Sequence, residues 1–195
     1  MGAAQERVVA SAVSLTGSEA MNARHGRARR GLAGTATAAG RDDRTPGSAQ
    51  PVSNMQTIGF IGLGHMGANM AGRFLAAGYA VYGESRTREH AQWLVDQGLR
   101  WLDTPREVAE AADVVLTSLP DDDAVKSVAS GADGILAGLD TGKLWADLST
   151  ISPSASRELA ARVRGRGAQM LDAPVSGSVP QVQAGTLTIM VGGDE

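Results

Sequence analysis

The sequence predicts an α/β fold in which helices cover both faces of a doubly wound, mostly parallel sheet. Two observations lead to this prediction. From Met55 onward, short apolar runs alternate with helix-compatible stretches, which is the order of successive βαβ units. The run at 114–118 begins with three consecutive apolar residues, as expected for a parallel strand that is buried on both faces.

The first predicted strand runs directly into a glycine turn and a helix. Residues 57–67 read T-I-G-F-I-G-L-G-H-M-G, so G-x-G-x-x-G separates an apolar run from a helix start. In this context Gly62 allows the tight turn, Gly64 lets a pyrophosphate approach the backbone, and Gly67 lets the helix pack against the strand. Amide groups at the helix start would then face the phosphates. We therefore predict a Rossmann-type dinucleotide site; the alternative is a glycine turn of another α/β protein.

Periodicity and end signals place the remaining elements. Helices are expected to stop at Gly78 and Gly98, Thr104 opens a capping box with Pro105 at the first helical position, and the acids at 121–123 suit a helix N-terminus. The predicted strands are 58–61, 80–83, 100–102, 114–118, 143–147, 169–172 and 187–191. The predicted helices are 66–77, 87–97, 105–112, one from 121 onward, and one from the Ser152 cap to 164.

Residues 55–195 form the predicted domain. A domain of this length buries about two-thirds of its unfolded surface, which is enough for an independent core. The predicted core residues are Ile58, Phe60, Ile61, Phe74, Leu75, Val81, Val114, Val115, Leu116, Leu144, Leu159, Val163, Leu171, Ile189 and Val191.

Residues 1–54 differ from the rest of the chain in composition. They contain no Phe, Trp or Tyr, and they carry a net charge of +3 against −6 for residues 55–195. Such a segment buries too little apolar surface to offset the entropy of ordering it, so we predict a low-complexity, disordered extension. Three origins are open: an over-extended start before Met55, a disordered tail, or an Arg-rich transit peptide.

Composition excludes several classes of function. The net charge of −3 gives no electrostatic footprint for nucleic acid or an anionic membrane, and no run approaches the roughly 18 apolar residues of a membrane span. The sequence has no cysteine, which excludes disulfides and thiolate catalysis, and its three histidines are too scattered to suggest a metal site. We expect a cytoplasmic protein without nucleic-acid, membrane or metal ligands.

The candidate site consists of the residues that follow each strand, because ligands of an open parallel sheet lie beyond the carboxyl ends of its strands. Glu84, Ser85, Arg86 and Thr87 follow the second strand, where the adenosine ribose of a dinucleotide belongs. An acid there binds the ribose of NAD, and an arginine accommodates the 2′-phosphate of NADP. Because strand side chains alternate, only Glu84 or Ser85 should face the ribose. We predict a phosphate pocket of Ser85, Arg86 and Thr87, hence NADP, with NAD as the alternative.

Three further segments follow strands. Leu119 and Pro120 form an apolar ledge for ring packing. Asp147 and Thr150 could reach the nicotinamide end or cap the helix after Ser152. The segment 172–178, D-A-P-V-S-G-S, is a rigid turn suited to an anion such as a carboxylate, or an ordinary Ser/Gly/Pro turn.

Five segments between Met55 and the end of the chain carry a family resemblance. They read G-F-I-G-L-G-H-M-G-A-N-M, S-R-T, T-S-L-P-D-D-D-A-V, W-A-D-L-S-T-I-S-P and L-D-A-P-V-S-G-S-V-P-Q-V-Q-A-G-T-L-T-I-M-V-G-G. In this order and spacing they resemble the β-hydroxyacid dehydrogenases, which include 3-hydroxyisobutyrate dehydrogenase, 2-hydroxy-3-oxopropionate reductase and, more distantly, 6-phosphogluconate dehydrogenase. The resemblance implies reversible hydride transfer between NAD(P) and the carbinol carbon of a small 3-hydroxy acid substrate.

The resemblance also implies roles for individual residues. The family usually has a glycine in place of Ser178, and His65 occupies a variable position that we expect to be exposed and non-catalytic. The pyrophosphate would contact Gly62, Leu63, Gly64, His65, Met66 and Gly67. The ribose would contact Ser85, Arg86 and Thr87. The rest of the cofactor would contact Leu119, Pro120 and Thr150. The substrate carboxylate would contact Ser176, Gly177 and Ser178.

The family's general acid/base is a lysine on a long helix that follows this domain and leads into a helical substrate and dimerisation domain. The chain stops at Glu195, and its two lysines, Lys126 and Lys143, are not predicted at the carboxyl edge of the sheet. We therefore expect a fragment that contains the cofactor-binding half and no catalytic residue, with homo-oligomers only in a full-length form. A non-catalytic NADP(H)-binding module and an imine reductase-like enzyme are the alternatives.

Overall fold

The computed structural model describes residues 56–193, so the predictions for residues 1–54 lie outside the described residues. The strands are β1 Ile58–Ile61, β2 Val81–Glu84, β3 Arg100–Trp101, β4 Val114–Thr117, β5 Leu144–Asp147, β6 Gln169–Asp172, β7 Val175–Ser176, β8 Thr188–Ile189 and β9 Gly192–Gly193. The helices are α1 His65–Ala76, α2 Gln92–Asp96, α3 Pro105–Ala111, α4 Asp122–Ala129, α5 Ile135–Gly138, α6 Pro153–Arg164 and α7 Val179–Ala184, and a 3-10 turn covers Arg88–Ala91.

Seven strands form one sheet in the order β3-β2-β1-β4-β5-β6-β9. The first six pair in parallel, and β9 runs antiparallel to β6. Strand β1 lies between β2 and β4, so the chain builds the sheet first to one side of β1 and then to the other. The predicted mostly parallel α/β sheet is confirmed, and the reversal of strand order beyond β1 is the position where such sheets bind ligands.

Buried side chains cover both faces of the sheet. Phe60 and Phe74 belong to the cluster on one face, and Trp145 and Leu159 belong to the cluster on the other. Most of the predicted core is buried, but Leu75 and Ile189 are only partly buried, and Val191 is 57% exposed. The prediction of Val191 as a core residue is therefore wrong.

The structure also corrects the predicted strand at 187–191. Only Thr188–Ile189 is extended and paired, and its partner is Val175–Ser176 in a separate two-stranded sheet. The residues after Met190 turn back to the main sheet, where Gly192–Gly193 pairs with the end of β6. Within the run only Thr188–Ile189 is paired, and the second pairing lies beyond it at Gly192–Gly193, so Val191 is left in the exposed connection between the two.

Two helices were not predicted, and one predicted helix is divided. The segments α5 and α7 are only four and six residues long, too short for a clear 3.6-residue pattern. The predicted helix at 87–97 is a 3-10 turn followed by α2, because Ala91 has a ψ of 4° and interrupts the α-helical backbone. The capping box of Thr104 and Glu107 is present as predicted at the start of α3.

Candidate functional site

The turn between β1 and α1 requires glycine at two positions for reasons internal to the fold. Gly62 has a φ of +91°, and a Cβ atom there would lie 2.5 Å from the carbonyl oxygen of Ser118. At Gly67 a Cβ atom would lie 2.0 Å from the carbonyl oxygen of Gly62. Both distances are far below van der Waals contact, so Gly62 and Gly67 set the close approach of helix and strand as the sequence predicts.

Gly64 has a different role in the same turn. Its backbone is extended, with a φ of −75°, and a Cβ atom there would meet no described atom within 4 Å. The first backbone bond of α1 runs from the N–H group of Ala68 to the carbonyl oxygen of Gly64, at 2.8 Å. The N–H groups of the preceding helical residues have no acceptor within the helix, so they form an anion-binding end beside open space. Gly64 is therefore a position that suits a ligand rather than the fold.

A cavity of about 390 Å³ extends from this turn across the end of β2 to the loop after β4. Eight of the predicted cofactor residues line it: Gly62, Leu63, Gly64, Ser85, Arg86, Thr87, Leu119 and Pro120. The other four predicted cofactor residues do not line it: His65, Met66 and Gly67 begin α1, and Thr150 lies exposed after β5. His65 is exposed as expected. Eight of the twelve predicted cofactor residues thus line one cavity at the end of β1 and β2.

The cavity lining extends beyond the predicted cofactor residues. Glu84 lines it together with Ser85, although strand alternation predicted that only one of the two would face the ligand. The strand ends at Glu84, so alternation no longer constrains Ser85. His90 reaches the cavity from the 3-10 turn, whose presence the sequence did not indicate. The remaining lining residues are Ile61, Ser118, Ala124, Ser127 and Val128.

Two side chains of opposite charge, Glu84 and Arg86, line the cavity. Burial raises the pKa of Glu84, and the guanidinium of Arg86 acts in the opposite direction. Arg86 is itself exposed, at the mouth of the cavity. A carboxyl group and a guanidinium thus lie at the position where a dinucleotide presents either a ribose hydroxyl or a 2′-phosphate.

A buried polar network holds the loop of Leu119, which lines the cavity. The Asp147 carboxylate is 0% exposed and accepts hydrogen bonds from the Thr117 hydroxyl, at 2.7 Å, and from the Ser149 N–H group, at 3.1 Å. The indole N–H of Trp145 donates to the same Thr117 oxygen at 2.9 Å. The Ser149 hydroxyl accepts the N–H of Leu119 at 2.9 Å, so the network fixes the apolar ledge of the cavity.

Asp147 therefore neither reaches a ligand nor caps the following helix, which were the two sequence-based interpretations. Its side chain points into the core because it alternates with Leu148 along the chain and shares the face of Trp145. Burial raises the pKa of Asp147, while hydrogen bonds from Ser149 and Thr117 lower it. Ser152 caps α6 instead, and Asp122 accepts the Ser152 N–H at 2.8 Å.

The predicted substrate segment forms an exposed turn beyond β6. Ser176 ends β7, Gly177 has a φ of +142°, and Ser178 is the N-cap of α7 in a capping box with Gln181. The turn lies outside the 390 Å³ cavity. The helix that follows the turn, α7, is held against α1, because the Arg73 guanidinium donates to the carbonyl oxygen of Gln183 at 2.7 Å.

Neither lysine of the chain lies at the carboxyl edge of the sheet. The Lys143 ammonium donates to the carbonyl oxygens of Ala109, Glu110 and Ala112, at 2.5, 2.7 and 3.0 Å, and so caps the end of α3. Desolvation by burial lowers the pKa of Lys143, although nearby carboxylates oppose the shift. Lys126 belongs to the last turn of α4.

The described part of the chain has neither a cluster of metal ligands nor a membrane-spanning helix. Residues 56–193 contain no group of three His, Cys, Asp or Glu side chains that could hold a metal ion. No helix in this same range is long and apolar enough to cross a membrane.

Comparisons with known proteins agree with this geometry. The family profile for the NAD binding domain of 6-phosphogluconate dehydrogenase matches residues 57–195. Over 140 residues the chain is 44% identical to the NAD-dependent L-serine dehydrogenase of Pseudomonas aeruginosa, covering 72% of this chain and 47% of that protein.

Two solved structures share the fold. The 3-hydroxyisobutyrate dehydrogenase of Mycobacterium tuberculosis with L-serine is 39% identical with a TM-score of 0.67, covering 73% of this chain and 48% of that one. Psf3 in complex with NADP+ and 2-OPP is 36% identical with a TM-score of 0.68, covering 71% of this chain and 49% of that one. The chain spans about half the length of the relatives it matches.

Proposed function

The chain belongs to the β-hydroxyacid dehydrogenase family and contains its NAD-binding domain, and from this membership we propose that it supplies the cofactor-binding half of an NADP-dependent oxidoreductase. The reaction is hydride transfer between NADP and a small 3-hydroxy acid. Bound NADP supplies or accepts the hydride. The observation that supports the proposal is the cavity that joins the glycine turn to Arg86.

Residues of this chain bind and orient the nucleotide. The N–H groups at the start of α1 hold the pyrophosphate, because Gly64 leaves room for its approach. Leu119 and Pro120 contact the flat rings, and the bond from Leu119 to Ser149 keeps this ledge in place. Thr150 lies further along the cofactor, and His65, Met66 and Gly67 present their amides to the phosphates.

The preference for NADP rests on Ser85, Arg86 and Thr87. A guanidinium matches a phosphate with two parallel hydrogen bonds, and hydrogen bonds to charged groups contribute about 1.5–3 kcal/mol each. Titrations of the protein with NADP and with NAD test this. Arg86→Ala should weaken NADP binding by roughly 10- to 100-fold and leave NAD binding within about threefold.

Arg88→Ala is the matched control, because the Arg88 guanidinium stacks over Trp101, 5.4 Å from the ring centre, and does not line the cavity. It should change the affinity for neither nucleotide. An unchanged NADP/NAD preference in Arg86→Ala would show that the phosphate binds elsewhere.

We place the substrate carboxylate at the turn of Ser176, Gly177 and Ser178, because these exposed residues include two hydroxyl groups that can donate to an anion. This favours a hydroxy acid over an imine as substrate. The test of this placement compares the wild type with Ser178→Ala in a form extended beyond residue 195. The assay measures NADP-dependent oxidation of 3-hydroxyisobutyrate, D-glycerate and L-serine. A higher KM for all three acids is expected; an unchanged KM would remove Ser178 from the site.

We propose no catalytic residue among those described, because Lys143 caps α3 and Lys126 lies on α4, both away from the carboxyl edge. The 195-residue chain should therefore bind NADP without turnover, as a non-catalytic module would. Turnover by this chain would refute the assignment. A cytoplasmic location and homo-oligomers of a longer form are further parts of the proposal, and cell fractionation and sedimentation test them.

A further inference from the structure

The turn of Ser176, Gly177 and Ser178 is attached to the helix that follows it, α7. Ser178 is the N-cap of α7, and its N–H group donates to the Gln181 side chain at 3.0 Å. On the other side of the turn, a Cβ atom at Gly177 would lie 2.6 Å from the Leu187 side chain, so the turn is packed closely there. The position of the turn therefore depends on the position of α7.

Helix α7 depends in turn on α1. It has six residues, and isolated helices shorter than about 12 residues are marginal in water, so its stability comes from tertiary contacts. It packs against α1. Val182, its buried residue, is 1% exposed and belongs to the same apolar cluster as Ala71 and Phe74 of α1. The helix with the candidate pyrophosphate site is thus also the support of α7.

Two polar side chains of α1 hold the last turn of α7. The Arg73 guanidinium donates to the carbonyl oxygen of Gln183 at 2.7 Å. The side-chain amide of Gln183 donates to the Asn69 Oδ1 atom at 3.2 Å. Asn69 and Arg73 are four residues apart and half-buried, so they lie on the same face of α1. Gln183 is therefore held through both its backbone and its side chain.

The same contacts extend to the first residue of α1. The Asn69 Nδ2 atom donates to the carbonyl oxygen of His65 at 2.7 Å, and His65 begins α1. Successive side-chain hydrogen bonds thus connect Gln183 to the turn of α1 whose free amides form the anion-binding end. The turn after β7 and the candidate pyrophosphate site are both built on this one helix.

Resting on the proposed function, we propose that Asn69, Arg73 and Gln183 are positioning residues, which hold the turn of residues 176–178 in a fixed place relative to the bound nucleotide. None of the three lines the cofactor cavity. Their effect should fall on the hydroxy acid, because a carboxylate bound by a displaced turn places the carbinol carbon away from the nicotinamide.

Amide hydrogen exchange of the 195-residue chain without nucleotide tests the attachment of α7. Arg73→Met should speed exchange in residues 178–185 roughly tenfold, the effect of one hydrogen bond from a charged group. Arg73→Lys keeps a donor and should restore part of the protection. Arg166→Met is the matched control, because the Arg166 guanidinium also donates to a helix carbonyl, that of Ala137, at 3.3 Å. It should leave exchange in residues 178–185 as in the wild type.

The contact between the two side-chain amides is tested by a double-mutant cycle. Asn69→Ala and Gln183→Ala should each speed exchange in residues 178–185 roughly two- to tenfold, the effect of one neutral hydrogen bond. The combined variant should exchange no faster than the faster single variant, because both remove the same bond. Single effects that multiply in the combined variant would contradict this contact. Unchanged exchange in the β4 and β5 strands would show that the fold is intact in every variant.

The consequence for the substrate is measured in the form extended beyond residue 195, with 3-hydroxyisobutyrate, D-glycerate and L-serine. Arg73→Met should raise the KM for the oxidised acid roughly tenfold and leave the KM for NADP within about twofold, and Arg73→Lys should lie between it and the wild type. A purely structural loss would lower the amount of active enzyme and change neither KM.

Two results would overturn the inference: an unchanged KM for the acid in Arg73→Met, or an equal rise in the KM for NADP. Failure of the wild type to bind either nucleotide would instead overturn the proposed function. The exchange measurements need no nucleotide, so they decide independently whether these three residues hold α7 on α1.

Discussion

Gly64 and Gly67 belong to one motif, and the structure predicts that alanine has opposite effects at the two positions. At Gly64 the backbone is extended and the new Cβ atom would meet no described atom within 4 Å. At Gly67 the Cβ atom would lie 2.0 Å from the carbonyl oxygen of Gly62. Gly64→Ala should therefore affect nucleotide binding, and Gly67→Ala should affect folding.

The magnitudes follow from these contacts. In Gly64→Ala, the lower chain entropy of the unfolded state stabilises the protein and the weaker helix cap destabilises it. The free energy of unfolding should therefore stay within about 1 kcal/mol of the wild-type value. The methyl group keeps the pyrophosphate from the α1 amides. Loss of about two hydrogen bonds to a charged group, roughly 3 kcal/mol, weakens binding more than 100-fold. Gly67→Ala forces a shift of the backbone that should cost roughly 1–3 kcal/mol or more.

Two measurements distinguish the variants. Thermal unfolding without nucleotide should give a Tm near that of the wild type for Gly64→Ala and a Tm roughly 5 °C lower or more for Gly67→Ala. Titration with NADP and NAD should show weak binding of both nucleotides by Gly64→Ala, because both contain the pyrophosphate. If Gly64→Ala is folded and binds NADP as tightly as the wild type, the pyrophosphate does not lie over this turn.

Two further predictions concern stability. Lys143→Met leaves three carbonyl groups of α3 without their donor and should cost about 1–2 kcal/mol in denaturant unfolding, whereas Lys126→Met on α4 should cost little. A cost for Lys143→Met no larger than that of Lys126→Met would refute this. Burial raises the folded pKa of Asp147 above its unfolded value, so its contribution to stability is complete below about pH 4 and is lost as pH rises through the folded pKa. Asp147→Asn keeps an acceptor for both hydrogen bonds, so unfolding measured from about pH 4 to 8 should show the variant gaining stability relative to the wild type as pH rises; a constant difference would refute this.

The sequence was informative where one local rule determines the structure. The glycine turn, the capping box of Thr104 and the parallel strands β1, β4 and β5 follow from spacing and apolar runs, and the structure has them. The structure also places eight of the twelve residues predicted to bind the cofactor around one cavity, because strand ends in a parallel sheet converge on one edge.

The remaining features depend on contacts between distant segments. Asp147 ends an apolar strand, and only the packed structure shows that Thr117 and Ser149 donate to one of its carboxylate oxygens in the core, while the other oxygen is buried without a partner. His90 reaches the cavity through a 3-10 turn that has no sequence signal. The run at 187–191 reads as one strand, but only Thr188–Ile189 is paired, in the small sheet, and the chain joins the main sheet only at Gly192–Gly193.

These contacts divide the cavity into a half-buried floor, tied to the core, and an exposed rim. The floor is the loop of Leu119, held by Ser149 and through it by the buried Asp147 network. The rim is Arg86 and His90, which are exposed and make no contribution to the core. Changes at the rim should therefore alter which nucleotide binds at little cost in stability, because no buried partner loses a hydrogen bond. Changes at the floor should lower stability and the affinity for both nucleotides together, because the loop of Leu119 is hydrogen-bonded to Ser149 and moves with the core.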